Sequence, residues 1–459
     1  MKSLIRKIFP KFLLNFLLER YHFLLAFFGA VFYNFPSKKM IVIGVTGTNG
    51  KSTTVNLISE ILEQAGHKVA SLSSIKFKIH NKEWQNTLKM TMPGRFKIQK
   101  FLRQAINADC KYAILEITSE GIKQHRHRFI DFDIAVFTNL TPEHIESHGS
   151  FEKYRSAKGK LFKAAKKIHI LNLDDENINS FLQFPATQKI GYGLDSQKSK
   201  IKNNEIENTT TAPNFWRGIK IVVAQEIKQE KNCSSFIIDN LLFNIPLKGK
   251  FNVYNALAAI CVGLSQGIDL QTIKKGLEKA TGIPGRMEAV IEKPFQVIVD
   301  YAHTPDSLEK VYQTLSSQLN EKKQQLICVL GACGGGRDKW KRPEFGKIAA
   351  RYCSQIILTN EDPYDENPSQ ILSEIKSGIS FFPECQNANS PKNCFPIFNF
   401  HEIIDRRKAI AKAMKLAKPD DTIIVTGKGC EPWMCVANNK KIPWDDREIV
   451  QEEFKKLNL

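Results

Sequence analysis

The stretch Met40-Ile-Val-Ile-Gly-Val45-Thr46-Gly47-Thr48-Asn49-Gly50-Lys51-Ser52-Thr53, followed by the pattern Val55 to Gln64 and by Gly66, decides how this chain is read. Its first residues form a short apolar run rich in β-branched side chains, which predicts a buried strand. The periodic apolar residues after Thr53 predict an amphipathic helix ending near Gly66. A strand, a glycine-rich loop and a helix in that order turn successive backbone N–H groups and a helix N-terminus toward a phosphate. Lys51 then supplies a point charge, and the Ser52 hydroxyl is available to Mg²⁺. Strict Walker spacing would place glycine at 45; valine stands there, with Gly44 and Gly47 on either side.

Outward from the loop, the same logic recurs. Tyr112-Ala-Ile-Leu-Glu116 puts a carboxylate at the end of an apolar run, and Ile134-Ala-Val-Phe-Thr-Asn139 leads to Pro142-Glu-His144. Ligands of open α/β sheets lie beyond the carboxyl ends of the strands, so Glu116 and His144 are placed to complete a site begun by the loop. Either alone reads equally as a satisfied polar residue at a strand end. Lys158, in Tyr154-Arg-Ser-Ala-Lys-Gly-Lys160, reads on composition as a solvated helix lysine.

The 459 residues suggest about three domains at roughly 150 residues each. With 42% hydrophobic and 25% charged residues, a disordered or collagen-like chain is excluded. The balance of 66 basic and 47 acidic residues, +19, favours anionic partners: nucleotides, phosphorylated substrates, membrane surfaces or nucleic acid. A basic nucleic-acid-binding ATPase is the rival from a different class. The basic residues are dispersed, however, with no aromatic-interleaved basic strand, so no nucleic acid is expected. Ten scattered cysteines without a CxxC pair read as reduced thiols in a cytoplasmic protein.

The amino-terminus departs from that soluble pattern. Leu4, Ile5, Ile8, Phe9, Phe12, Leu13, Phe16 and Leu17 recur at helical spacing, with Lys2, Arg6, Lys7 and Lys11 on the other side. After Glu19-Arg20 a second apolar run, Tyr21 to Phe35, is short of the ~20 residues a spanning helix needs. Two readings stand side by side: peripheral contact of residues 1–36 with the inner face of a membrane, or a hairpin packed on the protein or a partner.

The string Gly44 to Thr53 resembles the ATP loop of the Mur ligase and folylpolyglutamate synthase superfamily. So do Phe137-Thr-Asn-Leu-Thr-Pro-Glu-His144, Ala157-Lys158, Gly249-Lys-Phe-Asn252-Val-Tyr-Asn255-Ala, Gly285-Arg286-Met-Glu288, Val299-Asp300-Tyr-Ala-His303-Thr-Pro-Asp306, Gly334-Gly-Gly-Arg337-Asp-Lys-Trp-Lys-Arg342-Pro343, Gly427-Lys-Gly-Cys-Glu431 and Trp444-Asp-Asp-Arg-Glu448. Their order, from about residue 40 to the C-terminus, is similar to that of the MurE type. The resemblance implies an ATP-dependent amide-bond-forming ligase. An amino acid is joined to a UDP-linked muramoyl dipeptide through an acyl phosphate, in peptidoglycan precursor synthesis. A folylpolyglutamate synthase-like ligase is the nearest alternative.

The resemblance also implies roles. ATP is held by Thr46, Gly47, Thr48, Asn49, Gly50, Lys51 and Ser52, with Asn252 and Asn255 on the adenine side and Arg286 and Asp300 closing from the last domain. Ser52 and Glu116 hold one Mg²⁺, and His144 with a carbamate on Lys158 holds a second. Lys51, Glu116, His144 and Lys158 are thus the catalytic set. Thr91, Thr118, Gln124 and Arg126 hold the muramoyl peptide. His303, Arg337, Glu361, Asp362, Gly427 and Glu431 hold the amino acid. Where diaminopimelate enzymes of this type carry Asp-Asn-Pro-Arg, this chain has Glu361-Asp362-Pro363-Tyr364, which leaves diaminopimelate and lysine both open. About 43 residues precede Gly44 where the type usually carries a first domain gripping uridine, so three alternatives stand for the acceptor: its uridine is held by the central domain alone, a partner supplies the grip, or the acceptor is lipid-linked and met at the membrane. The expected architecture is α/β: a helical segment 1–38, a central P-loop ATPase domain 39–282 with a mostly parallel sheet, and a Rossmann-like domain 283–459. Within the central domain the polar stretch Asp195 to Pro213 reads as an exposed loop and the apolar runs Ile219–Val223 and Phe236–Phe243 as a pair of strands, and in the last domain 401–417 reads as a helix.

Overall fold

The apolar run before the loop is strand β1 (Ile41–Thr46), and it lies near the middle of a sheet of eleven described strands. The computed structural model describes residues 11–88, 90–194, 218–230, 232–320, 324–380 and 399–457. The apolar stretch 4–10 and the polar stretch 195–213, read from the sequence as an exposed loop, fall outside these residues. The other strands are β2 (Val69–Leu72), β3 (Lys76–Ile79), β4 (Lys82–Gln85), β5 (Tyr112–Glu116), β6 (Ile134–Phe137), β7 (Ile168–Asn172), β8 (Gln188–Leu194), β9 (Lys220–Gln229), β10 (Ser234–Ile238) and β11 (Leu241–Ile245). Their order is β11-β10-β9-β8-β7-β6-β1-β5-β2-β3-β4. The pairs from β9 through β2 are parallel, and an antiparallel pair of strands extends each end.

β1 sits where the strand order reverses, with β5 on one side and β6 on the other. That switch point opens a crevice at the carboxyl ends of the strands. The register sets Val45 opposite Glu116 and Thr46 opposite Phe137, so the ends of β5 and β6 flank the glycine loop. Helix Lys51–Gln64 covers one face with Val55, Leu57, Ile58, Ile61 and Leu62 buried. Helices Arg95–Asn107 and Phe151–Ala164 help cover the other face. Gly44 is required here: a Cβ on it would come within 2.8 Å of Leu161 Cδ1 and 3.0 Å of Phe132 Cδ1.

Strands β12 (Glu288–Ile291), β13 (Gln296–Asp300), β14 (Leu326–Leu330), β15 (Gln355–Leu358), β16 (Asn399–Glu402) and β17 (Thr422–Thr426) form a second sheet in the order β12-β13-β17-β14-β15-β16, parallel except at β12. Cores lie on both of its faces, one against helices Pro305–Ser316 and Lys341–Tyr352, the other against Arg406–Leu416 and Asp446–Lys455. A hairpin of β18 (Trp433–Val436) and β19 (Lys440–Pro443) stands beside it. Beneath β17, Arg406 makes two hydrogen bonds to Asp446, at 2.8 and 2.6 Å, with neither side chain exposed.

Three sequence expectations change. Phe236–Phe243, read as one strand, is the hairpin β10–β11, because Asp239 and Asn240 adopt φ of 48° and 61° and close a tight turn suited to the strand twist. The helix expected over 401–417 begins at Arg406, since residues through Glu402 pair with β15 and Asp405 caps the helix by accepting from Lys408 N. The apolar runs on either side of Glu19-Arg20 join in one helix, Lys11–Phe32, rather than a hairpin; Glu19 lies at the surface, 3.7 Å from His125. Among the described residues no helix is long and apolar enough to cross a membrane. The eight described cysteines are free thiols.

Candidate active site

Two clefts meet at the glycine loop. One, of about 370 Å³, is lined by the loop, the ends of β5 and β6, and the loops after β13, β14 and β17. The other, of about 380 Å³, is lined by residues of helices Lys250–Ser265 and Pro305–Ser316, and takes in Phe251, Asn252, Asn255 and Asp300. Asn49, Gly50 and Arg286 line both. Gly50 has φ 81° and Gly47 φ 155°, and a Cβ on either would collide with Asn255 Oδ1 or Thr138 Oγ1 respectively. Thr46, nominated from the sequence for nucleotide, lines neither cleft. Its hydroxyl donates to Ile117 O at 2.9 Å and ties β1 to the chain leaving β5.

At the end of β5, Glu116 is 3% exposed and accepts from Ser52 Oγ at 2.8 Å and Ser74 N at 2.9 Å. Lys51 Nζ donates to Thr48 O at 2.7 Å across the loop. Lys158 is 2% exposed, not a solvated helix lysine: its Nζ donates to Gly47 O at 2.7 Å and lies 4.7 Å from the centre of the Tyr154 ring. Burial, with the Lys51 charge beside it, holds the Lys158 amine well below the usual lysine range. His144 sits in the left-handed region at φ 56°, and burial together with Arg337 and Lys158 pushes its imidazole down to about 2, so it is neutral.

Thr91, Thr118, Gln124 and Arg126 line the first cleft on the side of the central sheet. The Thr118 hydroxyl also caps the short helix Ser119–Lys123 by accepting from Gly121 N at 3.1 Å. Arg126 donates to Met92 O and to Gln124 Oε1, leaving its buried Nε without a partner.

The opposite wall carries Arg337, Glu361, Asp362, Gly427, Glu431 and His303. Arg337 makes no side-chain hydrogen bond or ion pair among the described residues, so its guanidinium is uncommitted. Burial, then the neighbouring Asp362, pushes Glu361 up to about 7. The sequence suggests two acids free for a cationic ligand; the structure gives one. Asp362 accepts from Lys428 Nζ at 3.0 Å on both oxygens and from Cys435 N at 2.7 Å. Lys428, wholly buried, also donates to Glu431 at 2.6 Å and to Trp433 O at 2.7 Å. Tyr364 stands in the left-handed region at φ 52° against Gly335. His303 Nδ1 lies 2.9 Å from Tyr301 O, and burial, then Lys341, lowers its imidazole well below the usual range.

The two walls are strapped together by Asn49, nominated for nucleotide, and by Lys341, Glu143 and Asp338, which the sequence reading quoted within motifs but did not single out. Lys341 donates to Glu143 at 3.2 Å and to His303 O at 3.1 Å, both ion-pair partners being buried. Asp338 accepts from Ile145 N at 3.2 Å and Glu146 N at 2.9 Å. Asn49 donates to Asp306 at 2.9 Å and Thr304 at 3.2 Å. Strings such as Pro142-Glu143-His144 and Arg337-Asp338 carry the chemistry for this, but only the fold shows which charge meets which.

Residues 45–263 match the Mur ligase middle domain, and residues 285–429 match the Mur ligase, glutamate ligase domain. The chain is 35% identical to the UDP-N-acetylmuramoyl-L-alanyl-D-glutamate–2,6-diaminopimelate ligase 1 of Clostridium acetobutylicum, over 94% of this chain and 82% of that protein. It is 36% identical to the corresponding ligase of Caldanaerobacter subterraneus, over 92% and 79%. A solved structure of such a diaminopimelate ligase aligns with TM-score 0.56 and 28% identity, covering 92% of this chain and 79% of that one. The folylpolyglutamate synthase of Mycobacterium tuberculosis, complexed with ADP and AMPPCP, shares the fold at TM-score 0.64 with 15% identity, over 87% and 91%.

Proposed function

The chain belongs to the Mur ligase family, MurE type, and on that premise we propose how its residues carry out the ATP-dependent ligation of an amino acid to a UDP-N-acetylmuramoyl dipeptide in peptidoglycan precursor synthesis. The observation that carries the reading is the meeting of the two clefts at Asn49, Gly50 and Arg286. A nucleotide with its adenosine beside Asn252 and Asn255 then has its terminal phosphate at the cleft that holds Arg337 and Glu361. The division at residues 38 and 282 into helical segment, ATPase domain and amino-acid domain is part of this proposal.

The reaction joins two anions, so positive charge must gather where the phosphoryl moves. Lys51, the loop N–H groups and Arg286 supply it. The acceptor carboxylate enters along Thr91, Thr118, Gln124 and Arg126, takes the γ-phosphoryl group, and becomes an acyl phosphate. The amine of the incoming amino acid then attacks that carbonyl carbon, and phosphate leaves as the amide forms. Neutral His303 and His144 add no like charge to this cationic end.

Mg²⁺ is implied by the family, and the donors suit it. Ser52 Oγ and Glu116 Oε2 are hard oxygens 2.8 Å apart. Among the described residues no group of three or more His, Cys, Asp or Glu forms a cage, as expected of an ion that completes its shell with phosphate oxygens and water. Ser52 and Glu116 would hold one ion; His144 and Lys158 would hold a second. Bound there, Mg²⁺ neutralises charge on the transferring phosphoryl group. Lys158 would serve as an oxygen donor once its amine, whose hold on a proton burial and Lys51 weaken, adds as the free base to CO₂ and releases a proton, giving an anionic carbamate.

For the amino acid, we take a diamino acid. Arg337 is free for its α-carboxylate and Glu361 for a cationic amine. The diaminopimelate relatives favour that substrate, while Tyr364 presents no charge to a second carboxylate. The test is incubation with ATP, Mg²⁺, the UDP-linked muramoyl dipeptide and a panel including diaminopimelate and lysine, read by phosphate release and product mass. A tripeptide product is expected. Phosphate release with a folate acceptor and none with the muramoyl peptide would refute the reading. A lipid-linked form of the acceptor, and contact of residues 1–36 with the inner membrane face, belong to the same proposal.

A further inference from the structure

From Leu17 to Phe32, helix Lys11–Phe32 is turned inside out relative to a helix of a soluble protein. Its fully buried residues are small: Ala26, Gly29 and Ala30 are buried, with Gly29 tight against Phe96, and Phe23 packs beside them half-buried. Most of the large apolar side chains face away. Leu17, Tyr21, Leu24, Phe28, Val31 and Phe32 form a stripe at helical spacing, from 46% to 74% exposed. Leu18 and Phe27 flank it, and Phe96 at 38% extends it onto the neighbouring helix. Eight of the fifteen exposed large hydrophobic residues described thus lie on one helix, which makes a continuous patch rather than scattered surface residues.

The rim of this patch is basic. Arg20, Lys38, Lys39, Lys97 and Lys100 are all exposed. Helix Arg95–Asn107, which packs beside the patch, carries four cations and no acid. Glu19 is the one acidic residue on the described helix Lys11–Phe32. A second copy of this chain would bring like charges together; an anionic lipid surface would not.

We propose that this face docks on an anionic bilayer, with the helix lying in the plane of the interface. The proposal rests on the ligase reading above and deepens its membrane contact, specifying which face of the helix enters the interface and the charge of the lipid that receives it. It also fixes how the enzyme sits. The helix supports the loop that carries Gln124 and Arg126: Phe23 packs edge-on against His125 and Phe129 at 6.2 and 5.2 Å, and Phe27 meets Phe129 at 5.4 Å. Arg95 donates to Gln124 O at 2.9 and 2.5 Å, and Arg103 clamps the end of the helix through Tyr33 O. The acceptor side of the cleft is therefore the side held against the membrane, where an acceptor carried on a lipid would arrive.

The experiment measures two things on the full chain: ligation of the soluble UDP-linked acceptor without lipid, and cosedimentation with phosphatidylcholine vesicles with or without phosphatidylglycerol. Wild type is expected to bind the anionic vesicles at least ~10-fold better than the neutral ones. The double substitution Leu24→Glu, Phe28→Glu is expected to abolish binding while leaving soluble-acceptor turnover within about twofold, since both residues are exposed. Lys97→Ala and Lys100→Ala should each weaken binding roughly fivefold. Cosedimentation unchanged by the double substitution overturns the proposal, as does a lipid-free dimer that the double substitution dissociates. Absent ligation by wild type would refute the ligase reading instead, whatever the vesicles show.

Discussion

Replacing Lys341 by methionine removes the buried cation that joins the two walls of the active-site cleft. Its Nζ lies 3.2 Å from Glu143 Oε1, and the two side chains are 3% and 5% exposed. At an effective dielectric constant of 20 the pair attracts by roughly 5 kcal/mol. Most of that offsets desolvation, and stripping one partner from a buried pair costs about 3–5 kcal/mol because the other charge is stranded. Here the chain has a way out: the walls can part and Glu143 can meet water. The cost then falls on the closed state, leaving the fold intact. With Asp338 and Asn49 still bridging, a loss of about 2–4 kcal/mol from closure lowers kcat/KM roughly 30- to 1000-fold.

The pH dependence gives the sign. Burial raises the Glu143 carboxyl above the usual range even with Lys341 opposing it. Without Lys341 it rises further. A group raised in the closed state favours closure below that value and disfavours it as pH rises through it. The K341M enzyme should therefore regain activity, relative to wild type, as the pH is lowered through the raised Glu143 carboxyl, in a phosphate-release assay, with a melting temperature close to that of wild type. Unchanged kcat/KM would refute the strap. So would a fall in melting temperature accounting for the full 3–5 kcal/mol, which would make the pair part of the fold itself.

The same geometry fixes three further outcomes. Lys158→Arg should reduce turnover by ~10³-fold or more; ¹³C-labelled bicarbonate should give a carbamate resonance in wild type that this variant lacks, and its absence from active wild type would refute the modified lysine. Glu361→Gln should raise the melting temperature above pH 7, by up to about 3 kcal/mol of stability, because the native carboxyl at about 7 destabilises the fold as it ionises; it should also raise KM for the amino acid, and an unaltered KM would remove Glu361 from the pocket. Arg406→Met should cost about 3–5 kcal/mol by stranding Asp446, read as a lowered midpoint in urea, and a loss smaller than about 1 kcal/mol would contradict the buried pair.

Local signals in the chain were enough to specify the strand, loop and helix around Lys51: β-branched residues, glycines where backbone meets phosphate, and a 3.6-residue period. Ordered motifs also nominated Glu116, Lys158, Arg337 and Glu361; Glu116 ends β5, Arg337 and Glu361 lie in the loops after β14 and β15, and Lys158 reaches the cleft from helix Phe151–Ala164. Partnership over long separations was not legible there. That Asp362 is neutralised by Lys428, that Glu143 meets Lys341 from 198 residues away, and that Thr46 points into the sheet depend on how two sheets face each other. Likewise, periodicity marked the amino-terminal helix as amphipathic, yet only packing showed that its small residues face inward. The physical reason is common to all of these: helix and strand patterns are set by neighbours in sequence, whereas burial and charge compensation are set by neighbours in space.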